Sequence, residues 1–142
     1  MSFVRFEVPG EPQGKGRARV GRGTGGHARM FTPVKTVAYE GLIALAAQHA
    51  MQGKPMMQGA CAVLIDAYCS VPASWSKKKR AAALAGDLYP TSKPDVDNIA
   101  KAVGDGANGV VWADDKQIAD LRIRRRYAAV PLLAIDVMDL SA

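Results

Sequence analysis

The stretch Ala60-Cys-Ala-Val-Leu-Ile-Asp-Ala-Tyr-Cys-Ser70 predicts a β-strand that carries apolar side chains on both of its faces. A strand that can be buried on both faces belongs in the middle of a sheet. Within such a strand Cys61 and Cys69 would lie about 26 Å apart, whereas a disulfide needs Cα atoms within about 7 Å. We therefore expect a central strand whose two cysteines stay reduced.

The segments on either side of this strand predict one α+β domain. Alternating apolar residues indicate further strands at 2–8, 117–127 and 132–138 and a short strand at 110–112. Helical periodicity and end signals indicate helices from Thr32 to Gly53, from Ser74 or Ser76 to Gly86, and over 97–107. We predict a mixed β-sheet covered by helices in two layers, as a single compact domain over residues 1–142.

The first of these helices has an apolar stripe that we expect to face the sheet. The stripe residues recur mostly at spacings of three and four: Val34, Val37, Ala38, Leu42, Leu45 and Ala46. Thr32 is the expected N-cap, and Pro33 then occupies the first helical position.

The chain between the first strand and this helix, at about 9–30, predicts a flexible basic loop. Seven glycines and two prolines leave few apolar residues to bury there. The cations of this loop are Lys15, Arg17, Arg19, Arg22 and Arg29.

Composition and charge restrict the classes of function. A chain of 142 residues with 49% hydrophobic and 23% charged residues is typical of a globular protein. No apolar run approaches the roughly 18 residues of a membrane span, and the first residues lack a signal-peptide core. We therefore expect a cytosolic protein without a membrane partner. The net charge of +6 predicts a polyanion as the binding partner.

The acidic residues nevertheless crowd into one stretch of this basic chain. Five of them lie within it: Asp95, Asp97, Asp105, Asp114 and Asp115. In an extended segment Asp95 and Asp97 would point the same way. If Asp97 capped the next helix, Lys101 and Asp105 would follow along one helical face.

Such a group of carboxylates predicts a metal site. Hard oxygen donors without a nearby histidine or cysteine favour Mg²⁺ or Mn²⁺ over zinc. Because adjacent side chains diverge, we expect only one of Asp114 and Asp115 to face the Asp95–Asp97 pair. An EF-hand matches poorly, since Ile99 and Gly106 stand where it needs oxygen donors. The alternative is a solvated acidic loop, with Asp97 as a plain N-cap.

The residues of this stretch resemble the motif of the RusA-type Holliday junction resolvases found in phages and prophages: Lys93-Pro-Asp-Val-Asp-Asn98, Lys101, Asp105 and Trp112-Ala-Asp-Asp-Lys-Gln-Ile118. The upstream segments Gly14-Lys-Gly-Arg-Ala-Arg19 and Phe31-Thr-Pro-Val-Lys-Thr36 are similar to the phage branch of that family. The resemblance implies a homodimeric, Mg²⁺-dependent endonuclease that recognises four-way DNA junctions and nicks two strands symmetrically. It also implies a cytoplasmic protein of a bacterial host or prophage.

The resemblance also implies roles for individual residues. The metal-binding and catalytic carboxylates fall on Asp95, Asp97 and Asp115, and the catalytic lysine falls on Lys101. Supporting roles fall on Asp105, Asp114 and Asn98. We expect the DNA backbone to be held by the basic side chains of Lys15, Arg17, Arg19, Arg22, Arg29, Lys77, Lys78, Lys79, Arg80 and Lys93.

Two other functions fit the same residues. One is a nucleic-acid-binding protein without catalysis, in which the carboxylates are structural. The other is a metal-dependent nuclease that acts on other branched DNA.

Overall fold

The computed structural model describes residues 2–16, 19–22, 28–31 and 33–141, and in 19–22 and 28–31 it describes the backbone alone. In chain order its elements are β1 (Phe3–Pro9), β2 (Arg19–Arg22), β3 (Ala28–Phe31), α1 (Val34–Met51), β4 (Cys61–Cys69), α2 (Lys77–Leu84), α3 (Val96–Ala107), a 3₁₀ turn (Asp115–Gln117), β5 (Ile118–Tyr127) and β6 (Leu132–Asp139).

The main sheet has four strands in the order β1-β6-β4-β5. Strand β4 pairs antiparallel with β6 and parallel with β5, and β1 pairs antiparallel with β6. This mixed sheet confirms the predicted α+β class and the central position of the strand that begins at Cys61. Both Cys61 and Cys69 are free thiols, as predicted.

Helices α1 and α3 cover one face of the sheet and enclose the core. The alternation of β1 buries Val4, Phe6 and Val8 against them, as its pattern predicts. None of the helices in the described ranges has the length and apolar character needed to cross a membrane.

Two glycines in α3 permit close packing on this face. A Cβ atom at Gly106 would lie 2.8 Å from the Cβ of Ile43 in α1 and 3.1 Å from the carbonyl oxygen of Glu40. A Cβ atom at Gly104 would lie 3.0 Å from Oδ2 of Asp115. Glycine costs about 1 kcal/mol in a helix interior, but a Cβ atom would clash with α1 at Gly106 and would crowd the Asp115 side chain at Gly104.

The predicted face of α1 is wrong. The helix buries Thr36, Tyr39, Ile43, Ala47 and Met51, while most of the predicted stripe lies on the exposed side. Both sides of α1 carry apolar residues, so periodicity alone did not identify the side that meets the core. Burying the side with the larger Tyr39, Ile43 and Met51 removes more apolar surface from water.

Three predicted boundaries or elements also differ. Pro33 is the N-cap residue of α1, not its first helical residue, and Thr32 lies outside the described residues. The loop predicted at 9–30 contains the antiparallel pair β2–β3. Around Trp112 the chain makes isolated bridges to Met57 and Asn108, not the predicted short strand.

Candidate active site

The first carboxylates of the acidic stretch lie at the beginning of α3. Asp95 is the N-cap residue, with an extended backbone, and Asp97 is in the first helical turn. The expectation that Asp97 caps the helix from an extended segment is therefore wrong by two residues. The two side chains still interact, because Asp97 contributes to lowering the pKa of Asp95.

Donor groups surround the carboxylate of Asp95. Nδ2 of Asn98 donates a hydrogen bond to its Oδ1 at 2.6 Å. Desolvation favours the neutral acid, but the hydrogen bonds from Asn98 and the backbone outweigh it and lower the pKa of Asp95. Asp95 is thus held in its ionised form, and a carboxylate in this form can coordinate a metal ion or accept a hydrogen bond from water.

The lysine and the acid of the next two helical turns have different surroundings. Lys101 is exposed, whereas Asp105 accepts a hydrogen bond from Nζ of Lys15. The same Nζ lies 3.5 Å from Oε2 of Glu40. The hydrogen bond with Asp105 raises the pKa of Lys15 in spite of its desolvation. Lys15, predicted as a DNA contact, therefore joins its segment to α3 and α1.

The remaining acids lie in the turn before β5. Oδ1 of Asp114 accepts a hydrogen bond from the backbone amide of Lys116 at 2.9 Å. This contact lowers the pKa of Asp114. The pKa of Asp115 is raised by its hydrogen bond with Asp114, by desolvation and by the charges of Asp114 and Asp105. The ionised form of Asp115 is therefore disfavoured in these surroundings, and a positive charge nearby would stabilise it.

Gln117 fixes this turn, and the sequence analysis had noted it only as part of the motif. Its Oε1 accepts from the amides of Ala113 and Asp114 at 2.9 and 3.1 Å. Its Nε2 donates to the carbonyls of Met57 and Gly59 at 2.8 and 3.0 Å. The signal for this role is present in the sequence, because Asp114 followed by Gln117 three residues later is a capping box.

Asp115 shares a shallow depression of about 290 Å³ with Lys101 and Asp120. Asp115 also lies against Gly104, so it faces the side of α3 that carries Lys101. The structure therefore brings Asp115 and Lys101 together, and separately Asp95 and Asp97.

The oxygen donors suit a hard divalent cation in their chemistry, but they form two groups. In the part of the chain that the structure describes, no three histidine, cysteine or acidic side chains lie close enough together to hold a metal ion. The convergence of Asp95, Asp97 and Asp115 on one ion stays a prediction.

A groove of about 970 Å³ lies beside Asp95 and Asn98. Four cations line it: Lys15, Lys35 of α1, Lys93 and Arg125 of β5. Lys15 is already paired with Asp105 and Glu40. Lys15 and Lys93 were predicted as DNA contacts, whereas Lys35 and Arg125 were missed.

The other predicted DNA contacts lie elsewhere. The four cations from Lys77 to Arg80 are exposed on α2, and Nζ of Lys79 lies 4.0 Å from the ring centre of Trp75. Arg17 is outside the described residues, and of Arg19, Arg22 and Arg29 only the backbone is described.

Comparisons with known proteins give two findings. A family model described as "Endodeoxyribonuclease RusA" matches residues 9–138. A protein of Bacillus subtilis (strain 168) named "Uncharacterized protein YqaN" is 35% identical over 145 residues, an alignment that covers all of both chains. All of the candidate site residues of the acidic stretch lie within the range that the family model matches.

Proposed function

The chain belongs to the RusA endodeoxyribonuclease family, and from this premise we propose that it is a Mg²⁺-dependent enzyme that resolves four-way DNA junctions by paired, symmetric nicks. The family implies a Holliday junction resolving endonuclease that acts in DNA recombination. The proposal adds the metal, the pairing of the nicks and the bacterial cytoplasm as the place of action.

One observation of the structure carries the proposal: the ionised carboxylate of Asp95, at the beginning of α3, borders a basic groove. A basic groove attracts the phosphate backbone of DNA. Carboxylates that repel phosphate are unfavourable there unless a cation joins them. The combination is typical of metal-dependent phosphodiester hydrolysis.

The residues have distinct roles in this proposal. Asp95, Asp97 and Asp115 would hold the ion, and nucleases of this family generally depend on a divalent metal. Bound Mg²⁺ supplies Lewis-acid activation of the scissile phosphate and of water; Mn²⁺ has similar ligand preferences. Lys101, beside Asp115, neutralises the charge that develops on the phosphate oxygens or orients the attacking water.

Paired nicks require two sites, and the exposed face of α1 supports a homodimer. Val34, Val37, Leu42 and Leu45 are 84, 56, 49 and 62% exposed on one side of the helix. We call these four residues the α1 apolar face, and a row of exposed apolar side chains typically marks an interface. A second copy of the chain is a suitable occupant, because a two-fold axis brings the same apolar face from both subunits.

Oligomeric state tests the dimer directly. Leu45→Glu should give monomers in analytical ultracentrifugation, because it places a charge in the centre of the α1 apolar face. Met138→Glu is the matched control, since Met138 is 40% exposed on the sheet face that α1 and α3 leave open, and it should stay dimeric. The opposite result would place the interface on the open face of the sheet.

The activity is tested with a synthetic four-way junction, a flap and a duplex of the same sequence. We expect paired nicks in the junction with Mg²⁺ and none with EDTA. Preferential cutting of the flap would instead indicate a nuclease for other branched DNA. Tight junction binding without cutting in either condition would indicate a non-catalytic DNA-binding protein.

A further inference from the structure

Arg125 occupies an unusual position for an arginine in a strand. In β5 the side chains of Arg122, Arg124 and Arg126 lie on the open face of the sheet, opposite Leu64, Asp66 and Tyr68 of β4. Arg125 pairs with Ala67, so it belongs to the face that the helices cover. A charged group on this face needs a reason, because burial of an uncompensated cation is unfavourable.

Arg125 contacts the segment that leads to α3, and its charge also acts on the thiol of Cys69. Its Nη2 donates a hydrogen bond to the carbonyl oxygen of Ser92, in the segment that leads to Asp95. Its Nε is buried and has no hydrogen-bond partner among the described residues. The guanidinium therefore has donors to spare, and it lines the groove beside Asp95.

A neighbouring arginine shows what a fully satisfied guanidinium looks like in the same strand. Nε and Nη2 of Arg124 donate to the two carboxylate oxygens of Asp66 at 2.8 and 3.1 Å. In the described ranges no carboxylate lies within 4.0 Å of a nitrogen of Arg125. Arg124 is neutralised by the fold, and Arg125 is not.

The opposite wall of the groove is fixed by backbone contacts. The amide of Lys15 donates to the carbonyl of Asn98 at 2.9 Å, and the amide of Gly16 donates to Oγ1 of Thr36 at 2.8 Å. A Cβ atom at Gly14 would lie 2.8 Å from the Cβ of Asn98. The segment thus lies directly on the beginnings of α3 and α1, and the groove is formed before any ligand binds.

We propose that this groove holds the DNA strand to be cut, and that Arg125 is a positioning residue that grips a backbone phosphate next to Asp95, with Lys35 and Lys93 on the neighbouring phosphates. The proposal rests on the function proposed above and adds the path of the strand. A guanidinium suits this task because its planar donors can bind two phosphate oxygens at once. Arg125 and Asp95 line the same groove.

The test compares Arg125→Ala with Arg126→Ala. The two variants lose the same charge from adjacent positions of one strand, but Arg126 is exposed on the open face of the sheet. Junction binding is measured in EDTA over a range of KCl concentrations, and the single-turnover cleavage rate is measured with Mg²⁺.

Arg125→Ala should weaken binding about tenfold and reduce the slope of log K against log salt by about one, as expected for one lost phosphate contact. Its cleavage rate at saturating protein should also fall, because the phosphate is no longer held against Asp95. Arg125→Lys should restore the salt slope but not the full rate, because an ammonium lacks the planar pair of donors. Arg126→Ala should change binding less than twofold.

If Arg125→Ala unfolds, Lys93→Ala decides, because Lys93 is exposed and should still lower the salt slope. Equal behaviour of Arg125→Ala and Arg126→Ala in a folded enzyme that cuts junctions would overturn the groove proposal alone. A wild-type protein that cuts no branched DNA would overturn the proposed function, while the binding measurements would still test the groove.

Discussion

At the beginning of α3 the carboxylate of Asp95 is surrounded by hydrogen-bond donors, whereas near the end of the same helix Asp115 faces other carboxylates. The donors lower the pKa of Asp95, and the acidic neighbours raise the pKa of Asp115. Both residues come from one motif, and both are proposed to bind the same ion. Their difference indicates that the fold supplies hydrogen bonds that stabilise the charge of Asp95. It supplies no comparable stabilisation for the charge of Asp115.

The comparison suggests separate tasks for the two ends. The Asp95 end is organised by the groove wall and by Asn98, and in the proposed function it needs no rearrangement to bind DNA. At the Asp115 end, Asp114 and Asp105 add negative charge that an external cation would relieve. We therefore expect metal binding to change the Asp115 end more than the Asp95 end.

Removing either carboxylate should have the largest effect. Asp95→Asn and Asp115→Asn should each reduce junction cleavage by at least about 10³-fold. Junction affinity should stay equal or rise, because a charge that repels phosphate is gone. Gel assays of nicking and binding with the same junction measure both quantities.

The same two variants should differ in stability without metal. Ionised Asp115 is unfavourable in the folded state, because its pKa is raised there, so Asp115→Asn should raise Tm at neutral pH. Folding lowers the pKa of Asp95, so its ionised form stabilises the folded state at pH values above the ordinary pKa. Asp95→Asn should therefore lower Tm at neutral pH. Shifts of equal sign would contradict the comparison.

Loosening the turn at the Asp115 end should have an intermediate effect. Gln117→Ala removes four hydrogen bonds and should lower the free energy of unfolding by about 1–3 kcal/mol. Cleavage should fall further than junction binding, because Asp115 is then poorly placed. Gln58→Ala is the control, since Gln58 is exposed and makes one bond of 3.2 Å; its effect should stay within about 0.5 kcal/mol.

The smallest expected effect is a shift of the pH profile. Asp114→Asn keeps an N-cap residue of equal quality but removes the group that most raises the pKa of Asp115. The pKa of Asp115 should fall, so cleavage should reach half of its maximum at a lower pH than in the wild type. An unchanged profile, measured with single-turnover rates between pH 4 and 7 (about the range in which carboxyl groups titrate), would mean that Asp115 does not limit the reaction.

Much of the sheet was predictable, whereas the convergence of Asp95, Asp97 and Asp115 stays a prediction. Strands β1 and β4 have clear alternation, and the motif identified the residues of α3 and of the following turn. The face of α1 was not predictable, because apolar residues occupy both sides and only tertiary packing selects one. The pair β2–β3 was missed because its glycines and arginines give no apolar alternation.

Arg125 shows a different limit. Alternation along β5 places it on the helix-covered face, where an arginine looks misplaced. Only the three-dimensional arrangement shows that a groove opens at this point, between Lys93 and the segment before β2. The register of a strand predicts the side of a sheet, but not where the helices above it leave space.

The parallel pairing of β4 with β5 has a consequence for how the protein gains its activity. Both proposed groups of ligands lie in the long crossover, residues 70–117, that joins these two strands. Closing so long a loop is slow compared with local helix formation. We therefore expect that a newly synthesised chain cannot cleave DNA until β5 has paired with β4, so that completion of the sheet is a precondition for nuclease activity.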